Sequence, residues 1–294
     1  MEITAKLVAA LREQTGAGLM DCKRALVETE GDIEKAIVYL REKGIAKAAK
    51  KADRIAAEGL CNVLIDGNYA AIYELNSETD FVARNEKFLE LLDKVGLYIL
   101  ANKATSVEEA LSSSLDGKVL NDVITDNTAT IGEKLSLRRV QLLTKKDDEV
   151  FGSYKHNGGK IAVVTVVKGS DTVAKEIALQ VSAMKPRYKD RSEIDPEFIA
   201  SETEIIRAVT IKEFEEAGKD TKNVENVVSG RVSKSLKEIC LFDQVYIREQ
   251  KLTVSQYLSQ EKSSVVTFVR LEVGEGIVKK VSDFRQEVLE ATSK

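Results

Sequence analysis

The period of the apolar residues changes several times along the chain, and each change marks a boundary. From Ile3 to about Lys43 it is helical. Thr4 can cap a first helix, with Ile3 and Val8 placed as a hydrophobic staple, and Gly16 and Gly18 break it. Leu19, Leu26 and Val27 carry a second helix. Asp32 caps a third, whose Ile33, Ala36, Ile37 and Leu40 share one face. Some forty residues of this kind make a small docking bundle without room for a catalytic pocket. Arg41 to Arg54, rich in Lys and Ala, reads as a solvated helical linker, with a basic docking patch as the rival reading.

From Gly59 the period becomes two. Leu60 to Ile65, the turn Asp66-Gly67-Asn68 and Tyr69 to Leu75 predict a hairpin, because Asp-Gly supplies the positive φ of a tight turn. A polar stretch follows, Asn76 to Asn85, and then a helix with Phe88, Leu91, Leu92 and Val95 on one face. The stretch is therefore a strand-to-helix turn, and Ser77, Thr79 and Asp80 are each able to cap the helix. Phe81 follows at once. It either folds back into the core or stands out at the tip beside an acid.

A less regular helical segment runs to about Lys134, and Leu135 to Leu143 alternates as a strand. The pattern then repeats. Phe151 to His156, the turn Asn157-Gly158-Gly159 and Ile161 to Val167 restate the hairpin, and Gly169-Ser-Asp-Thr-Val-Ala-Lys-Glu leads into a helix over Ile177 to Met184. The two units read as duplicated subdomains. The second keeps Val173, Ala174 and Lys175 but has nothing matching Asp80-Phe81, so a scaffold role alone does not account for that pair.

Pro186 and Pro196 punctuate the exit from the second unit. Phe198 to Ala217 and Thr221 to about Ile239 predict an antiparallel helical hairpin, with Ile205, Ile206, Val209, Ile211 and Phe214 facing Val224, Val227, Val228, Val232 and Leu236. Self-packing, self-association as in a homodimer, and a contact with a partner are all open for it. Ile239 to Ile247 reads as a strand, Val254 to Gln260 as a helix, Val265 to Val273 as a strand, and Asp283 to about Ala291 as a last helix. The fold class is α+β with antiparallel sheets. Its parts are 1–54, helical module and linker; 55–145, first core subdomain; 146–276, second core subdomain with the helical hairpin at about 187–238; and 277–294, C-terminal module.

Composition removes most chemistry. Apolar residues at 43% and charged residues at 31% fit a globular chain, and no apolar run approaches the roughly 20 residues that span a bilayer. The start has no signal or transit pattern, which points to the cytoplasm and away from membranes. A net charge of -4 gives no general attraction to nucleic acid. Cys22, Cys61 and Cys240 are too widely spaced for a metal knuckle and read as buried thiols. One histidine, His156, excludes a His pair for zinc, and neither phosphate-loop nor dinucleotide fingerprints occur. No metal or cofactor is expected. An enzyme would have to rest on His156, in a Gly-rich turn without a nucleophile elbow.

Three ordered stretches carry a family resemblance: Leu11-Arg-Glu-Gln-Thr-Gly-Ala-Gly-Leu-Met-Asp-Cys-Lys-Arg-Ala-Leu, Thr79-Asp-Phe-Val-Ala-Arg-Asn, and Phe151-Gly-Ser-Tyr-Lys-His. With Ile131-Gly132-Glu133 ahead of Leu137-Arg138-Arg139, they resemble the elongation factor Ts family over essentially the whole chain. The resemblance implies a UBA-like N-terminal module and a non-enzymatic exchange factor whose partner is the GTPase elongation factor Tu. It implies that Thr79, Asp80, Phe81 and Val82 approach the helices beneath the nucleotide. Phe81 would wedge between them while Asp80 disturbs the magnesium site and phosphate loop. Arg12 and Met20 would lie on the docking module, and Ile131 and His156 on core contact surfaces. The contrasting reading is a docking scaffold indifferent to the partner's nucleotide.

Overall fold

The computed structural model describes residues 3–218 and 223–278. The expected α+β architecture with duplicated antiparallel units is present. The N-terminal module follows its caps: Thr4 Oγ1 accepts from the Leu7 N–H at 3.3 Å and starts α1 (Ala5–Thr15), which ends at a left-handed Gly16. α2 (Leu19–Glu28) follows. Asp32 Oδ1 accepts from the Lys35 N–H at 3.1 Å and starts α3 (Ile33–Ala49). Leu11, Cys22, Ala25, Leu26 and Ala36 form the core of the bundle. Leu19 and Val27, expected to carry α2, are instead exposed. The seam of α2 is Cys22, Ala25 and Leu26, and Val27 lies about a third of a turn off it.

The linker reading also changes. α3 runs on to Ala49 and lies along α6 (Leu120–Ile131) of the core, with Gly44 buried against Ala129. Arg41 pairs with Asp122 at 2.5 Å, and Lys51 donates to the Gly132 carbonyl. The segment is helical as expected, but one side of it is seated rather than solvated.

The first core unit is a three-stranded antiparallel sheet of order β1-β2-β5, from β1 (Glu58–Asp66), β2 (Tyr69–Ser77) and β5 (Ser136–Thr144). Gly67, at φ 53°, makes the tight turn between β1 and β2. Between β2 and β5 come α4 (Glu86–Asn102), α5 (Val107–Ser112), a minimal hairpin of β3 (Ser114–Leu115) and β4 (Lys118–Val119), and α6. The second unit repeats the sheet with order β6-β7-β8, from β6 (Val150–His156), β7 (Ile161–Lys168) and β8 (Ser264–Glu272). α7 (Asp171–Met184), capped by Ser170, covers it. α7 lies so close to β6 that a Cβ at Gly152 would fall 2.1 Å from the Ala174 carbonyl oxygen, which accounts for the glycine in that motif.

Alternation sorts the side chains into layers. On β2, Ala71, Tyr73 and Leu75 pack with Phe88, Leu91, Val95 and Ile99 of α4. Ala70 and Ile72 face the other way and meet Ala162, Val164 and Val166 of β7. Val163 and Val167 of β7 return to α7, against Val173, Ile177 and Val181. The core is thus helix, sheet, sheet, helix.

The helical hairpin consists of α8 (Pro196–Glu216), with Pro196 at its first position, and α9 (Val224–Ile239). Its base is stapled. Arg187 and Tyr188 donate to the Ile239 carbonyl at 2.8 and 3.1 Å, Leu241 donates back to Tyr188 at 2.9 Å, and Ile194, Leu236 and Cys240 are buried there. Of the apolar residues expected in its seam, Val224, Val228 and Leu236 are buried, whereas Ile205 and Val209 are exposed. They form a stripe about a third of a turn from Ile206 and the buried Thr210, whose hydroxyl accepts from Arg231 at 3.2 Å.

Residues 239–247 are not the strand their alternation predicts. After α9 the chain makes a short turn at Leu241–Asp243. The buried Gln180 then supplies what a neighbouring strand would: its amide donates to the Val245 carbonyl at 3.1 Å, and its Oε1 accepts from the Ile247 N–H at 2.9 Å. α10 (Val254–Gln260) falls where expected. The expected helix at Asp283 to Ala291 lies outside the described residues.

One buried charge joins the two units. Glu74 of β2 is fully buried, paired with Arg138 at 3.0 Å and with Arg139, and it accepts from the Gly274 N–H at 2.8 Å and the Asn76 amide at 3.0 Å. Arg138 and Arg139 also donate to the carbonyls of Glu275 and Glu272, so the knot spans both sheets. Burial alone would raise the Glu74 pKa, but the Gly274 N–H, the Asn76 amide and Arg139 outweigh it and hold the carboxyl below its ordinary value.

Glu74→Ala, which leaves two arginines without their shared partner, is expected to cost about 3 kcal/mol in urea unfolding at pH 7. Because the folded pKa is the lowered one, this contribution is full above the ordinary value of 4.5 and fades as pH falls through the folded value. The gap between wild type and variant should therefore narrow in acid. A constant gap would show that the charge is not what stabilises.

Candidate functional site

β2 ends at Ser77, and the next eight residues carry the candidate site. The caps expected from Ser77, Thr79 or Asp80 do not start α4. A short 3-10 turn, Val82–Arg84, comes first, and Asn85 caps α4 by accepting from the Lys87 N–H at 2.9 Å. The nearer polar side chains are engaged elsewhere. Ser77 Oγ donates to the Thr79 carbonyl at 2.8 Å, and Thr79 Oγ1 donates to Glu133 Oε1 at 2.7 Å while accepting from the Val82 N–H at 3.4 Å. Glu133 Oε2 accepts from the N–H groups of Glu78 and Thr79 at 3.1 and 3.0 Å.

These bonds settle the alternative left open for Phe81. Val82 tucks against the first core, while Phe81 points outward and is 81% exposed. Asp80 beside it is half-exposed and, among the described residues, pairs with the exposed Arg84 four positions on, at 3.3 Å. An aromatic ring and a carboxylate thus stand together at the end of a rigid strand. That arrangement is a poor core and a suitable intruding tip.

The other expected contact residues are distributed around this tip. Arg12 and Met20 lie exposed on the N-terminal module, Met20 at 64%. Lys87 Nζ reaches the Gly16 carbonyl at 3.4 Å, which sets the α1–α2 loop beside the first turn of α4. Ile131, last residue of α6, is half-buried against the first core, two positions before Glu133. His156 is exposed at the end of β6. The Gly-rich turn after it lies against β1, where Lys160 pairs with Glu58 at 2.8 Å, and Glu58 faces Ser77 in the ladder. The second hairpin is thereby brought to the tip end of the first sheet.

His156 has no catalytic company. Its Nδ1 lies 3.3 Å from the Tyr154 hydroxyl, and no serine, cysteine or carboxylate hydrogen-bonds it among the described residues. The described residues contain no cluster of three His, Cys, Asp or Glu able to hold a metal, and no helix long and apolar enough to cross a membrane. Cys22, Cys61 and Cys240 are buried and unpaired, and burial pushes the Cys61 thiol up to about 12. Glu133 escaped the sequence reading. Its signal was present in the Ile131-Gly132-Glu133 stretch, but nothing local shows that a carboxylate will bond backbone some fifty-four residues earlier.

The family model described as Elongation factor TS matches residues 78–275, well over half of the chain. The chain belongs to the elongation factor Ts family. Elongation factor Ts of Acholeplasma laidlawii (strain PG-8A) is 47% identical over 296 aligned residues, covering the whole of both chains. Membership makes this protein a translation elongation factor with a nucleotide-exchange role. The matched region opens at Glu78, at the root of the tip, and takes in Glu133, the second sheet and the helical hairpin.

Exposure separates the ring at the tip from a ring in the core. Phe81→Ala is expected to leave unfolding free energy within about 0.5 kcal/mol of wild type. Phe88→Ala, which empties a fully buried site on α4, should cost about 3–5 kcal/mol. Urea titration of both variants checks the contrast, and a large loss in Phe81→Ala would mean that its ring is structural.

Proposed function

We propose that this chain binds the GDP form of elongation factor Tu and speeds release of GDP, so that GTP enters in its place. Thr79, Asp80, Phe81 and Val82 act as the intruding element. The observation that carries this reading is the exposed Phe81–Asp80 pair on a loop whose backbone is held from both sides. Phe81 wedges between partner helices beneath the nucleotide, and Asp80 disturbs the magnesium ion and phosphate loop. The ion neutralises much of the phosphate charge, so weakening its hold loosens the nucleotide.

The chemistry is coupling without bond making. Exchange factor and nucleotide each weaken the other's grip on the GTPase, and linkage makes the antagonism reciprocal. The direction comes from the cellular excess of GTP. Arg12 and Met20 dock the N-terminal module on the GTPase, while Ile131 and His156 line further contacts along the core. The setting is the cytoplasm, where translation runs.

Stopped-flow release of fluorescent GDP from purified elongation factor Tu tests the reading. Wild type should accelerate release. Phe81→Ala, the loss of a central aromatic anchor, should lower the maximal rate by roughly thirtyfold, and Asp80→Ala should lower it in the same direction, while both still bind. Chelating magnesium should speed spontaneous release and shrink the gain that the protein provides, since both act on one lever. An unchanged release rate with wild type, or a gain that persists in full without magnesium, would rule out this mechanism.

A further inference from the structure

We propose that Glu133 is a positioning residue for the tip, holding Asp80 and Phe81 in the conformation that enters the partner. The inference rests on the exchange reading above. Its basis is a reciprocal exchange of carboxylates between two loops. Glu133 accepts from two successive N–H groups just beyond the β2 ladder, those of Glu78 and Thr79, and from the Thr79 hydroxyl. In the opposite direction Glu78 Oε1 accepts from the Lys134 N–H at 2.6 Å. Only an acceptor-only group with two oxygens takes three donors in this way, and the charge strengthens each bond.

The brace passes to the far side of the tip. Thr79 Oγ1, held by Glu133, also receives the Val82 N–H. Asp80 and Phe81 are therefore bracketed by Thr79 and Val82, whose places are both set from Glu133. The anchor itself is fixed: Lys134 Nζ donates to the carbonyls of Ala52 and Arg54 at 2.6 and 3.0 Å, and Arg54 pairs with Glu78 at 3.2 Å. Without the brace the tip would have to be ordered at the moment of intrusion, which lowers the maximal rate of release and leaves docking by the rest of the surface in place.

The test compares Glu133→Ala and Glu133→Gln with wild type, alone and in the Phe81→Ala background, by GDP release from elongation factor Tu and by thermal unfolding. Glu133→Ala should cut the maximal release rate about tenfold while the half-saturating concentration moves less than about threefold. Glu133→Gln keeps an acceptor for the two N–H groups and can donate to the threonine oxygen, so it should stay within about threefold of wild type. In the Phe81→Ala background the added loss from Glu133→Ala should shrink below about threefold, because the share that the brace exerts through the ring is already gone and only the share through Asp80 remains.

Failure of wild type to accelerate release would sink the exchange reading before any variant is compared. If wild type accelerates, the inference is overturned by a wild-type rate in Glu133→Ala, by a tenfold loss undiminished in the Phe81→Ala background, or by equal losses in Ala and Gln. Should Glu133→Ala not fold, Thr79→Val, which removes the hydroxyl's bonds to Glu133 and from the Val82 N–H but leaves the two backbone N–H bonds of Glu133, replaces it in the same cycle with the same expected split between rate and half-saturation.

Discussion

Strand β2 is buried along all but its first residue, so both of its faces require cover. A three-stranded sheet with one helix hides one face only. The second unit supplies the other cover, and β7, buried along most of its length, makes the same demand in return. Each copy of the duplicated unit thus completes what its twin lacks, and the two central strands sit back to back through small and branched side chains, Ala70 and Ile72 against Ala162, Val164 and Val166. With β2 held on both faces and by both ladders, the point where it ends is fixed. The tip begins at that point.

Two carboxylates, one within β2 and one just beyond its end, show how environment assigns roles. Glu74 is enclosed, surrounded by two guanidinium groups, a backbone N–H and an amide, and its charge is used up inside the molecule. Asp80, six residues later, pairs with the exposed Arg84. The first ties the sheets together, and the second stays at the surface, open to solvent. Phe81 and Phe88 divide in the same way, one ring in water and one in the core.

Much of the fold was legible because local rules and tertiary packing agree there. Thr4 and Asp32 start helices as their chemistry predicts, Pro196 stands at a helix start, Gly67 turns the first hairpin, and period-two alternation marks β1, β2, β6, β7 and β8. The misses fall where distant residues decide. Three polar side chains compete to cap α4, and Glu133 removes Thr79 from the contest, leaving Asn85. Ile239 to Ile247 alternates like a strand, but Gln180 satisfies its backbone without a ladder. Leu19 and Val27 look like core because forty residues cannot enclose every apolar side chain they carry. The tip's residue types were readable. Which way its ring faces was not, since that depends on hydrogen bonds across the fold.

The stapled base of the helical hairpin gives the second unit an unusual tolerance of length. Tyr188 and Cys240 form a bridge, so the chain leaves and rejoins the core at almost one place, and closure is secured before either long helix is counted. Above such a stem, each added or removed helical turn alters only the seam between α8 and α9, and loop-closure entropy grows slowly with length. The hairpin is in this sense a cassette. Its length can change as a separate part, while β8 still arrives in register beside β7 and the tip on the other unit goes untouched.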